Sequence, residues 1–66
     1  MEIKYPEIAV QLTGNDGNAF AVLGAVRKAM RRSGVPKDEI DRFTNDATAG
    51  DYNTLLATCM RWVNVR

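Results

Sequence analysis

Two guanidinium groups four residues apart, Arg27 and Arg31, are the side chains of this sequence best suited to chemistry. At that separation both leave the same face of a helix, and two planar forks side by side can grip a phosphate or carboxylate in bidentate fashion. Counting back by helical steps reaches Gly24 and Phe20, so the stripe continues as a gap and an aromatic ring on which a base could stack. Lys28 and Arg32 lie to one side of it. The plainer alternative is a solvated face whose cations pair with Asp38, Glu39 or Asp41 further along the chain, and such surface pairs contribute little.

The segment Thr13, Gly14, Asn15, Asp16, Gly17, Asn18 is the second candidate. If a strand feeds this turn and a helix leaves it, the unpaired amides at the helix start and the positive end of its dipole attract an anion. In an oligomer whose adjacent subunits bring this turn and the arginine stripe together, Thr13, Gly14, Asn15, Gly17 and Asn18 would join Phe20, Arg27 and Arg31 as ligand-binding residues around a nucleotide-like anion. The match to phosphate loops is partial. Neither G-x-x-x-x-G-K-[ST] nor G-x-G-x-x-G is present, and Asp16 can satisfy the free amides itself and repel an anion. A tight turn closed by a cap accounts for the same residues.

Other chemistry is poorly supplied. There is no histidine, and the single Cys59 lies in an apolar stripe without a CxxC partner, which removes the commonest general base, the usual zinc sets and any internal disulfide. Cys59 therefore reads as a small buried hydrophobe, no cofactor is expected, and no enzyme activity is expected. Tyr52 and Trp62 could line a pocket or interface, although aromatics at helical spacing among leucines are usually core.

The elements that must position these groups follow from periodicity. From Glu7 to Thr13 apolar and polar residues alternate, with Ile8, Val10 and Leu12 on one side, as in a half-buried strand. Pro6 marks the strand's beginning or an edge, and Ile3 and Tyr5 continue the line loosely. Asp16 or Asn18 caps a helix running to about Ser33, where Gly34 ends it. Ala19, Val22, Leu23, Val26 and Met30 fall within about a 100° arc, the width of a core-facing stripe. Ala21, Ala25 and Ala29 form a small-residue line that would let another helix approach closely.

Pro36 starts a second helix with Asp38, Glu39 and Asp41 near its positive end and Ile40, Phe43 and Ala47 as a narrow apolar face. Gly50 ends it. Asp51 caps a third helix in which Tyr52, Leu55, Leu56, Cys59, Met60 and Val63 cover about 140°, so wide a stripe that it needs neighbours on more than one side. Trp62 to Arg66 reads either as a frayed last turn or as a short strand in which Val63 and Val65 alternate with polar residues; the strand, paired with the first, is the favoured reading. The expected fold is α+β: an N-terminal strand and three helices, closed by a short C-terminal strand if the last residues are not a frayed turn, in a single domain, residues 1–66.

A chain of 66 residues buries too little surface to be comfortably stable alone, and a two-stranded sheet leaves open edges, so a homo-oligomer is expected. With 45% hydrophobic residues the chain is not disordered, and no apolar run approaches the roughly 20 residues that cross a bilayer, so no membrane partner is expected. No signal peptide is visible at the start, and the expected location is cytoplasmic. A formal charge of +1 gives no global pull toward nucleic acid. Gly34, Val35, Ile40 and Phe43 match the turn and packing positions of a degenerate helix-turn-helix, and a nucleic-acid-binding accessory protein is the alternative reading. It is less favoured, because Asp38, Glu39 and Asp41 would face the phosphates.

Leu12-Thr13-Gly14-Asn15-Asp16-Gly17-Asn18-Ala19-Phe20, the pair Arg31-Arg32, Gly50-Asp51-Tyr52 and Arg61-Trp62-Val63 resemble a group of short proteins found in phages, prophages and bacterial genomes. The similarity spans nearly the whole chain and transfers no functional residue. It implies a mobile-element origin and a protein that acts by binding, either by inhibiting a host protein or by sequestering a nucleotide-like anionic ligand.

Overall fold

The structure, a computed structural model, describes residues 2–11 and 18–66. In chain order it holds a strand β1 (Tyr5–Val10), three helices α1 (Ala19–Arg32), α2 (Lys37–Ala47) and α3 (Tyr52–Trp62), and a strand β2 (Val63–Val65). This is the α+β arrangement expected from the sequence. β1 and β2 pair in parallel, with Tyr5 opposite Val63, Ala9 opposite Asn64 and Val10 opposite Val65. The register is irregular between Tyr5 and Ala9, the stretch containing Pro6, which has no N–H to give to a ladder.

The strand begins two residues earlier than its alternation suggests. Lys4 donates its amide to the Arg61 carbonyl at 3.0 Å, and the Tyr5 ring stacks on Trp62 with centroids 6.2 Å apart, so contacts with α3 set the start. The strand stops at Val10 because its partner is only three residues long; the last bond runs from the Arg66 amide to the Val10 carbonyl. Leu12 and Thr13, the expected end of the strand, and the turn Thr13 to Gly17 lie outside the described residues. Within β1 the alternation holds, with Ile8 and Val10 buried and Glu7 and Ala9 exposed.

α1 opens on Asn18, whose side-chain oxygen accepts the Phe20 amide at 2.8 Å. It closes on a Schellman motif: Val35 donates to the Met30 carbonyl and Gly34 to that of Arg31, with Gly34 at φ 85°, a conformation suited to glycine. Val22, Val26 and Met30 are fully buried and Leu23 partly so, while Ala19, expected on the same stripe, is exposed. The alanine line has no single neighbour: Ala21 is exposed, Ala25 is half-buried, and Ala29, also half-buried, borders the same hollow as Glu7, Ile8 and Ala9 of β1.

α2 buries Ile40, Phe43 and Ala47, as its narrow stripe requires. It ends at Ala47, before Gly50, with Thr48 as the C-cap and the Ala49 amide turned to the Asp46 carbonyl at 3.3 Å. Gly50 serves the next helix. A Cβ there would lie 2.6 Å from Thr54 Oγ1, and Thr54 is the residue whose amide and hydroxyl both bond the capping carboxylate of Asp51, at 2.9 and 3.1 Å.

The wide stripe of α3 is covered only along its middle. Leu55, Thr58, Cys59 and Trp62 are buried, whereas Tyr52 and Met60 at its edges stay exposed. Thr58 satisfies its hydroxyl on the Thr54 carbonyl at 2.8 Å. Cys59 is buried, and its removal from water pushes the thiol up to about 11, so it is protonated and inert at neutral pH. Trp62 joins three elements, stacking on Tyr5 of β1 and meeting Phe43 of α2 edge-on at 5.7 Å.

Candidate anion-binding cleft

The connection from α1 to α2 spans only Ser33 to Pro36, which keeps the end of α1 close to the start of α2. The last turns of α1 therefore sit beside the first turns of α2. Arg27, Arg31, Val35, Lys37, Ile40 and Asp41 line a cleft of about 290 Å³ at this junction. Val35 and Ile40 give it an apolar floor, and three cations surround one carboxylate.

That carboxylate is already paired with one of the three cations. Asp41 pairs with Lys37 one turn back at 3.4 Å, and Glu39 pairs with Lys4 and, at 3.8 Å, with Arg42. Among the described residues neither Arg27 nor Arg31 enters an ion pair, so the acids of α2 do not neutralise them as the solvated-face alternative supposes. The Arg27 Nε atom is buried and has no hydrogen-bond partner, although a buried N–H without an acceptor is costly. α2 begins without a side-chain cap: Pro36 offers none, and only the Glu39 and Ile40 amides are taken, by the Pro36 carbonyl. The positive end of α2 adds to the field in the cleft, and Asp38 and Glu39 in its first turn reduce it.

The remaining sequence-predicted residues are placed elsewhere. Asn18 is the N-cap of α1. Phe20 is 84% exposed and borders a different hollow, of about 240 Å³, with Leu23, Ala47, Tyr52 and Leu55. Eleven residues of helix, roughly 16 Å, separate it from Arg31, so its ring is not a stacking platform over the arginine cleft. Thr13, Gly14, Asn15 and Gly17 lie outside the described residues. Lys37, Val35 and Ile40 are cleft residues that stripe-by-stripe reading of α1 misses. The short link between the helices is the signal that could have found them.

A second polar cluster is structural. Glu39 accepts from Lys4 and from the Tyr5 hydroxyl at 3.1 Å, while Lys4 Nζ stands 4.4 Å from the centre of the Trp62 ring. The bond from Lys4, followed by that from Tyr5 and by the charge of Arg42, holds the Glu39 carboxyl below its usual range, and burial followed by the Glu39 bond raises the Tyr5 hydroxyl. These contacts tie β1 to α2 over the tryptophan and leave nothing free for a ligand.

Among the described residues no three acids or cysteines converge to hold a metal ion, and no helix is long and apolar enough to cross a membrane. No protein-family model, curated protein or solved structure matches the chain.

Proposed function

We propose that this is a binding protein that takes a small anionic ligand of nucleotide type in the cleft between the end of α1 and the start of α2. One observation carries the reading: Arg27 and Arg31 open into a shared cleft with neither guanidinium paired to a carboxylate and with Arg27 Nε buried and unsatisfied. A phosphoryl group there would accept bonds from both forks, and an apolar floor of Val35 and Ile40 suits the ring or sugar attached to it. The volume lies near the lower end for small-molecule sites, about 300 Å³, which favours a mononucleotide-sized anion over a larger one.

Inhibition of a host protein is the neighbouring reading, in which the same arginines meet an acidic surface. Duplex DNA gains no support from α2, whose cations Lys37 and Arg42 are paired with its own acids. The test is a thermal-shift titration of the purified chain with inorganic phosphate, pyrophosphate, mononucleotides and cyclic dinucleotides. Binding to the folded state raises the melting temperature with ligand concentration. Arg27→Ala and Arg31→Ala should each weaken binding by roughly ten- to a hundredfold, the loss of a charge-assisted bond worth about 1.5–3 kcal/mol, with unchanged circular dichroism. No shift with any anion would end the ligand reading.

A further inference from the structure

From Ala19 to Val26 α1 carries no polar side chain, yet Ala19, Phe20, Ala21 and Gly24 are exposed. The core requires only the opposite side of the helix, where Val22, Val26 and Met30 are buried. The outward side therefore has no intrachain reason to be apolar. Gly24 strengthens the case. Glycine weakens a helix interior relative to alanine, and a Cβ at this position would meet nothing within 4 Å. Packing inside the chain does not keep a side chain out of that space, whereas close approach by a second molecule would.

We propose that this face pairs with the same face of a second copy of the chain, the two α1 helices lying antiparallel across a twofold axis with Phe20 of each over Gly24 of the other. The patch holds both halves of such a contact: a projecting ring and, one turn on, a position without a side chain. A twofold interface is isologous, so the ring of each copy meets the gap of the other at once. The hollow beside Phe20, walled by Leu23, Tyr52 and Leu55, extends the apolar surface around the ring.

Charge selects the same occupant. Lys28 and Arg32 continue the Phe20 and Gly24 row at four-residue steps and are exposed at the far end of α1. At the Phe20 end, the residues that line the hollow include one carboxylate, Asp51, and no cation. An antiparallel pair sets the cations of each copy toward the carboxylate of the other, and a parallel pair would set like against like.

The surface is separate from the arginine cleft, so either proposal can fail alone. Sedimentation of the full chain from low to high micromolar concentration is the test. The wild type is expected to dimerise within that range, less tightly in high salt. Phe20→Ser and Gly24→Leu should each raise the dissociation constant by about tenfold or more, as expected for residues at the centre of an interface, while circular dichroism of the dilute protein stays unchanged. Arg27→Ala should dimerise as the wild type does. A monomer at every concentration, or equally tight dimers from both face variants, would overturn the proposal.

Discussion

Asp51 concentrates in one carboxylate much of what holds the start of α3. The bonds from the Thr54 amide and hydroxyl keep it below the ordinary carboxyl range, and Glu39 is lowered in the same direction by Lys4, Tyr5 and Arg42. A group whose pKa falls on folding stabilises the native state fully above its unfolded value, near 4, and loses that contribution as pH drops through the folded value. Stability should therefore be flat from neutral pH to about 5 and decline below about 4. Urea midpoints measured between pH 7 and 2 test this. Asp51→Asn retains a capping oxygen that cannot titrate, so its decline should be shallower than the wild type's; an identical slope would remove Asp51 from the account. At this scale much was legible in the sequence, because a cap is a local matter: Asp51, Asn18 and Gly34 are all recognisable from their neighbours. The unsatisfied Arg27 Nε was not, since the burial of one side-chain atom depends on how the elements pack around it and not on its neighbours in sequence.

The helices follow from their stripes and end signals, and Gly34 gives the sharpest test of that logic. Held at φ 85°, it lets the Gly34 and Val35 amides return to the Arg31 and Met30 carbonyls. Gly34→Ala forces a side chain into a left-handed conformation, at a cost of about 1–2 kcal/mol. A urea midpoint lowered by that amount with an unchanged slope is the expected result; no change would mean that the turn relaxes freely. Strand limits were harder to read, for a physical reason. A helix satisfies its own amides, but a strand extends only as far as its partner, and β1 is matched to the three residues of β2 and to the backbone of Arg61. The same dependence on neighbours explains why, of the alanine line of α1 read as a seat for a helix, Ala29 borders a hollow beside β1 while Ala21 is exposed. It also explains why Phe20 and the arginines, one stripe in the sequence, open into separate hollows.

For the whole molecule, Trp62 is the common contact of β1, α2 and α3. At 7% exposure it is nearly enclosed, and Trp62→Ala should cost about 3–5 kcal/mol. A domain of this size has only about 3–10 kcal/mol to lose. The variant should show lost near-ultraviolet dichroism and a melting transition near or below room temperature, and a cooperative melt close to the wild type's would show that the tryptophan is dispensable. The α+β architecture and single core were legible because amphipathic segments of these lengths bury their apolar faces in few ways. The arginine cleft and the apolar patch were not, because each depends on which surfaces the packed helices leave uncovered. The parallel sheet carries a kinetic consequence. Tyr5 and Val63 stand 58 positions apart, so joining them closes nearly the largest loop that the chain offers. During translation the helices emerge before β2 exists to complete the sheet. The nascent chain must meanwhile keep Ile8 and Val10 out of reach of other strands, and the time from the synthesis of Val63 to its release from the ribosome sets the earliest moment at which folding can finish.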